Sequence, residues 1–324
     1  MSLLSWARTG FVYGAVCSLA VSSGFAQFGS FEFALIGDVP YTDEATTNAF
    51  PNMIAELNRA RLAFVVHDGD IKSGATPCTD ELFKQRLQQF QTIKHPLIYV
   101  PGDNEWQDCT NNKTNRFEPE ERLEKLRQLF MAGDRSLGQR TLRLTRQSEK
   151  PEFAAFRENV RWVRGDILFA GLNLPGSANN YGKPEVAARH AANMAWLKES
   201  FAIATEENRR AIMLVIQANP HFDLGATNKL RAGFNEFLRE LEDQTAAFKK
   251  PVVLVHGDSH YFRIDRPLVG RRSGRRIENF TRVETFGYPD VHWIRVRVES
   301  GNSDVFKFYP EIVDKNLIEH SRSN

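Results

Sequence analysis

Five short apolar runs punctuate the chain: Phe31–Ile36, Leu62–Val66, Leu97–Val100, Ile212–Ile216 and Val252–Val255. Each is rich in Val, Ile, Leu or Phe and bounded by Gly, Pro or Asp, which predicts strands buried on both faces. Between the runs, apolar positions recur three and four residues apart, the spacing of one helical face. Residues 45–61 carry Phe50, Met53, Ile54 and Leu57, residues 80–93 carry Leu82, Phe83, Leu87 and Phe90, and residues 118–132 carry Leu123, Leu126 and Phe130. Residues 184–205 contain Trp196, Leu197 and Phe201, and residues 227–247 contain Leu230, Phe234, Phe237 and Leu241. Strand alternating with helix predicts an α/β architecture around parallel strands.

Two stretches break that alternation. Val160–Val163 and Ile167–Leu172 flank Arg164-Gly165-Asp166 and read as a hairpin. Thr281–Thr285, Val291–Val298 and Val305–Tyr309 alternate apolar with polar residues and read as antiparallel strands. Residues 133–158 are polar and Arg-rich and read as an excursion over the surface.

Residues 1–26 contain no Asp or Glu, with Arg8 ahead of the apolar run Phe11–Val21 and with Gly24 and Ala26 two apart. This is the pattern of a secretory signal peptide cut after Ala26, and residues 27–324 then form one domain. The run falls short of the roughly 20 apolar residues that span a bilayer, so no membrane association is expected after cleavage. Export leaves Cys78 and Cys109, eight residues past Asp70 and six past Asp103. If the strands before them are parallel neighbours, the two loops emerge side by side, and an oxidising compartment invites a disulfide. With 42 Lys and Arg against 40 Asp and Glu, no stable nucleic-acid binding by bulk charge is expected.

Four of the five runs end in Gly-Asp: Gly37-Asp38, Gly69-Asp70, Gly102-Asp103 and Gly257-Asp258. The fifth ends at Gln217, followed by Asn219-Pro220-His221. Carboxyl ends of parallel strands share one edge of a sheet, where ligands bind. Asp38, Asp70, Asp103 and Asp258 are therefore expected to converge, with His260 beside them. Carboxylates forced together repel. A divalent cation relieves the repulsion, and oxygen donors mixed with an imidazole suit Mn, Fe or Zn better than calcium.

These segments resemble the calcineurin-like metallophosphoesterases, which include the purple acid phosphatases. The family's motifs run Asp-x-His, Gly-Asp-x-x, Gly-Asn-His-Asp/Glu, a later His near a Pro, then Gly-His-x-His. They correspond in order to Asp38-Val39-Pro40, Gly69-Asp70-Ile71-Lys72, Gly102-Asp103-Asn104-Glu105, Gln217-Ala218-Asn219-Pro220-His221 and Gly257-Asp258-Ser259-His260, across residues 31–261. The resemblance implies a four-layer αββα sandwich with mixed central sheets. It also implies hydrolysis of phosphate monoesters or diesters by hydroxide activated on one or two divalent metal ions. By that correspondence Asp38 and His260 hold one metal and Asp70 bridges. Asp103, Asp258 and one group among Gln217, Asn219 and His221 hold the other. Asn104 contacts the phosphoryl group, and the leaving group is protonated by His221, His67, His256 or water.

The chain departs from the pattern where Pro40, Asn104 and Asp258 replace three imidazoles. The donor set moves toward oxygen, which favours Mn or Mg over Zn and weakens one of the two positions. The same losses define an alternative, a catalytically impaired binding or scaffold protein on the phosphoesterase fold. His67 and His256 read as strand-end packing or as supports for ligands, and Glu105 as a salt-bridge partner. Tyr41, Trp106 and Tyr261 read as pocket walls or plain packing. Arg271, Arg272, Arg275 and Arg276 read as solvated surface, and Asn173, Asn179 and Asn180 as structural.

Overall fold

Residues 29–110, 116–299, 301 and 304–317 are described by the computed structural model, and the signal peptide expected at 1–26 lies outside them. The strands are β1 (Phe31–Ile36), β2 (Val65–His67), β3 (Leu97–Tyr99), β4 (Thr145–Arg146), β5 (Val160–Arg164), β6 (Ile167–Gly171), β7 (Ala211–Val215), β8 (Val252–His256), β9 (Arg263–Asp265), β10 (Phe280–Glu284), β11 (Trp293–Val298) and β12 (Phe306–Glu311). They form a five-stranded sheet in the order β12-β11-β1-β2-β3 and a seven-stranded sheet in the order β4-β5-β6-β7-β8-β10-β9.

In the first sheet β1, β2 and β3 are parallel, while β11 runs antiparallel to both β1 and β12. In the second, β6, β7, β8 and β10 are parallel, with the β5–β6 hairpin on one side. The structure corrects one expectation here. The strand at Thr281–Thr285, read as antiparallel, is parallel to β8, and its antiparallel partner is the short, half-exposed β9. Three residues of β9 are too few to show a period in the sequence.

The helices are α1 (Phe50–Arg59), α2 (Asp80–Gln91), α3 (Pro119–Phe130), α4 (Val186–Glu206) and α5 (Asn235–Phe248). Thr79 caps α2 by accepting the Leu82 N–H, with Asp80 and Glu81 in its first turn. The helical pattern over 227–247 breaks into one turn at Lys229–Ala232 and then α5. Gly233 lies between them, packed so closely that a Cβ there would stand 2.0 Å from the Ala178 carbonyl oxygen.

Three apolar cores separate four layers. Phe33, Leu35, Val66 and Val100 of the first sheet meet Phe169, Met213, Val253 and Val283 of the second. The opposite face of the first sheet packs Ala34, Ile36 and Val65 against Met53, Phe83, Phe90 and Leu126 of α1, α2 and α3. The opposite face of the second packs Leu168, Leu214 and Leu254 against Trp196, Phe201, Phe237 and Leu241 of α4 and α5. The result is the expected αββα sandwich. Residues 133–158 do more than cross the surface. Arg146 is buried and donates to the carbonyls of Gly133 and Arg157, and buried Gln147 donates to the Ala192 carbonyl at 2.8 Å.

A disulfide joins Cys78 to Cys109, closing a loop with a sequence separation of 31. It ties the loop after β2 to the loop after β3, two parallel neighbours.

Candidate metal centre

The glycines of the Gly-Asp pairs make room for the carboxylates of other strand tips. A Cβ on Gly257 would stand 2.0 Å from the Asp38 carboxylate, one on Gly102 2.0 Å from Asp70, and one on Gly37 1.6 Å from Asp68. Asp38, Asp70 and Asp258 themselves have φ of 51°, 59° and 76°. Left-handed backbone at three non-glycine residues costs free energy that packing must offset, and such strain collects at working sites. The turns aim the side chains back across the sheet edge. Asp38 accepts the Asp258 N–H on both oxygens at 3.2 and 3.0 Å, and Asp70 accepts the Asn104 N–H at 3.1 Å.

Tyr41 lies among Asp38, Asp70 and His260, the groups expected to hold the first ion. Its hydroxyl is 3.0 Å from Asp70 Oδ2, 3.3 Å from Asp38 Oδ1 and 3.2 Å from His260 Nε2. His260 Nδ1 donates to the Tyr288 carbonyl, so its Nε2 carries the lone pair when neutral, and Nε2 stands 3.6 Å from Asp38 Oδ1. The Asn104 amide donates to Asp70 Oδ2 at 2.8 Å and to the Tyr41 oxygen at 3.0 Å. Its N–H groups therefore serve the ligand cluster.

The second position is less complete. Gln217 accepts the Gly176 N–H on its amide oxygen at 2.6 Å, so its NH₂ faces the carboxylates and donates to Asp70 Oδ2 at 3.1 Å. The Asn219 oxygen accepts the His221 N–H at 3.0 Å, and the Asn219 NH₂ donates to the Ser259 hydroxyl at 2.6 Å. Asp258 Oδ2 accepts the Asn219 N–H at 2.9 Å. Asp103 Oδ2 accepts the Ser177 hydroxyl at 2.9 Å, while its Oδ1 is buried without a hydrogen-bond partner.

Burial pushes all four aspartates up. Asp38 and Asp70 stand well above the usual carboxylate range, raised further by neighbouring carboxylates; Asp258 is also raised, and burial together with Asp258 lifts Asp103 to about 7. Burial also raises the Tyr41 hydroxyl well above an ordinary phenol, and Asp70 and Asp38 add to this. Burial drives His67 down to about 4, His256 to about 3, and His221 below its ordinary value.

Several further buried groups support the cluster. Glu105, read as a salt-bridge residue, instead accepts the N–H groups of Asp70, Ile71 and Gly102 and the Tyr99 hydroxyl. Lys72 is buried and gives its ammonium to the carbonyls of Ser73 and Asn104. Asp68 is buried beside Thr285. Trp106 is core and Tyr261 is exposed, so of the three aromatics only Tyr41 enters the cluster. His67 donates to the Val39 carbonyl. Arg271 is paired with Glu242 and Asp243.

The donors suit a cation. Among the described residues the one ion-pair partner of the four aspartates is His260. The unpartnered Asp103 Oδ1 is a further sign of missing positive charge. The protein's acids and imidazoles are nevertheless short of a full shell: among the described residues no three His, Cys, Asp or Glu side chains enclose a cation by themselves.

Sheets stacked face to face, helices on both outer faces and aspartates at the strand tips define the calcineurin-like metallophosphoesterase fold. Among solved structures the chain is similar to PhoD, with a TM-score of 0.56 at 12% identity over 85% of this chain and 65% of that one. It is also similar to GAP50, described as the anchor in the inner membrane complex of Plasmodium, with a TM-score of 0.54 at 10% identity over 90% of this chain and 87% of that one. At these identities the likeness is one of fold. No family model and no curated protein matches the sequence.

Proposed function

We propose that this chain is an exported, metal-dependent phosphoesterase that hydrolyses phosphate monoesters or diesters. One observation carries the reading: acidic strand tips from both sheets meet in one buried cluster that no Lys or Arg side chain among the described residues ion-pairs. Asp38, Asp70 and His260 would hold a divalent ion, Mn, Mg, Fe or Zn. Asp103 and Asp258 stand ready for a second, weaker one. Bound there, the ion would polarise the phosphoryl oxygen and lower the pKa of water. Asn104 and Gln217 orient Asp70 through their amide N–H groups. Burial disfavours the protonated forms of His67, His221 and His256, so the leaving group would take its proton from water. Cleavage after Ala26 would deliver the enzyme to the periplasm or beyond, where the disulfide persists.

The purified mature protein should hydrolyse an aryl phosphate or bis-aryl phosphate with Mn²⁺, and Asp70→Ala should abolish turnover. Full turnover after exhaustive chelation, or in the Asp70→Ala protein, overturns the assignment.

A second reading is a binding or scaffold protein on this fold. It is favoured by the protein N–H groups that already occupy the Asp70 carboxylate. The anchor role in the description of GAP50 is compatible with it. Metal content well below one ion per chain after Mn²⁺ loading selects this reading.

A further inference from the structure

We propose that a basic cavity at the edge of the first sheet opposite the aspartates binds a soluble anion carrying two or more phosphate groups. The cavity lies where β1, β2 and β3 begin, whereas the aspartates lie where strands end. Along β1 its wall at Phe31 is roughly 20 Å from Asp38, so this is a separate site.

The cavity measures about 810 Å³, in the range of small-molecule sites. Its walls carry Arg61, Lys94, Arg140, Arg164 and Arg297 against a single carboxylate, Glu32. Glu32 is already engaged, by Arg297 at 2.7 Å and by Arg295 at 2.9 Å. Arg61, Lys94, Arg140 and Arg164 have no carboxylate partner among the described residues. In a chain whose cations and anions nearly balance, 42 against 40, four unpaired cations in one cleft are a concentration of charge. A cleft lined by one sign focuses its field on a counter-ion.

The cations are also positioned. Arg140 donates through Nε to the Lys94 carbonyl at 3.0 Å and through Nη2 to His95 Nδ1 at 2.6 Å. His95 is buried and in turn donates to the Leu57 carbonyl at 2.9 Å. Arg164 lies over the Phe31 ring, 5.9 Å from its centroid. Guanidinium forks match phosphate oxygens in pairs, and an ammonium serves phosphate as a point charge. One phosphate group carries about −1.5 to −2, so four unpaired cations call for more than one. The segment leading into the cavity supplies no anion: residues 1–31 contain no Asp or Glu. The cations line a hollow rather than a plane, which suits a soluble anion over a bilayer face.

The test is titration calorimetry of metal-stripped mature protein at low salt, with tripolyphosphate and with inorganic phosphate. Without metal the strand-tip carboxylates repel anions, so the result does not depend on hydrolysis, and failure here leaves the phosphoesterase reading standing. Tripolyphosphate is expected to bind once per chain, roughly 10-fold or more tighter than inorganic phosphate. Arg61→Ala, Lys94→Ala and Arg164→Ala together remove exposed side chains that make no hydrogen bond among the described residues. They should weaken binding by roughly 10-fold or more. Arg272→Ala, Arg275→Ala and Arg276→Ala remove the same charge from another exposed stretch and should weaken it by less than about 3-fold. In the wild-type protein tripolyphosphate should slow acetylation of Lys94, a readout that needs no variant. Absence of binding, equal losses in the two triple variants, inorganic phosphate as tight as tripolyphosphate, or an unprotected Lys94 each overturns the inference. So does capture of the protein by cardiolipin vesicles that tripolyphosphate does not reverse, which would make the cations a membrane-facing surface.

Discussion

The carboxylate of Asp38 receives the backbone N–H of Asp258, 220 residues away, on both of its oxygens. One side chain at the tip of β1 thereby holds the tip of β8 in the other sheet. The same group is buried among carboxylates that raise its proton affinity. Its two tasks separate by substitution. Asp38→Asn keeps an acceptor for the N–H and removes the charge, so the chelated protein should be at least as stable as wild type. Asp38→Ala leaves a buried N–H unpaired and should cost about 1–3 kcal/mol. Urea midpoints in chelator check this, and equal losses in the two variants would be inconsistent with it. Both variants should lose Mn²⁺ binding.

Asp103 sets a pH dependence whose sign follows from its environment. Its carboxyl is raised to about 7 by burial and by Asp258, against about 4 in an unfolded chain. The folded protein therefore holds the proton more tightly than the unfolded one. The stabilisation this confers is fully present below about pH 4 and is lost as pH climbs toward 7, by up to about 4 kcal/mol. The Asp103→Asn protein lacks that loss. In chelator, its stability relative to wild type should rise between about pH 4 and pH 7 and level off above. A stability difference that stays constant over this range contradicts the argument. Saturating Mn²⁺ should reverse the wild-type trend, because the ion binds the ionised carboxylates.

The fold and the meeting of the aspartates were legible because both rest on local pattern. Gly-Asp after an apolar run encodes a strand tip, and parallel pairing sends such tips to one edge. The reason for the glycines was not legible, since the atom that excludes a Cβ at Gly257 belongs to Asp38, far away in the sequence. The place of Tyr41 in the cluster is not legible beyond a wall or plain packing, because nothing in the sequence says which way a side chain after Pro40 turns. The role of Glu105 is hidden for a related reason: its partners include backbone N–H groups, which composition does not reveal. The parallel placement of β10 depended on which strand it would find, and its alternation is the same in either direction.

Glu105 is the hinge pin between β2 and β3, and its removal should be among the costliest single changes at the site. Glu105→Ala would leave three buried N–H groups, those of Asp70, Ile71 and Gly102, without acceptors. A loss of about 3 kcal/mol or more follows, which differential scanning calorimetry would register as a fall in Tm of about 6 °C or more. Glu105→Gln retains an acceptor and should lose less. A neutral Glu105→Ala would show that the loops repack around the gap.

The disulfide closes a loop whose ends are separated by 31 residues, for which chain entropy gives a stabilisation of about 3–4 kcal/mol. Cys78→Ser with Cys109→Ser should lower the urea midpoint accordingly. The strand-tip hydrogen bonds do not pass through the sulfurs, so Mn²⁺ binding at low temperature should survive the change. Loss of both together at low temperature would mean that the bridge positions the ligands.

The proton inventory of the site makes a prediction about substrates. Asn104 has an amide where the family has an imidazole, and an amide cannot donate a proton as an acid. The imidazoles named as substitutes are His221, His67 and His256, and burial lowers each of them, the latter two to about 4 and about 3. At neutral pH all three are unprotonated. A positioned general acid contributes roughly 10²–10⁴-fold to such reactions, most where the leaving group is basic. Without one, turnover should depend steeply on the leaving group: aryl phosphates with acidic phenols should be cleaved readily and alkyl phosphates hardly at all. A series of aryl phosphates measured at pH 7 gives the slope. A shallow slope would show that an acid is at work. In that event His221→Ala, which changes the least buried of the three imidazoles, should steepen it and so identify the donor.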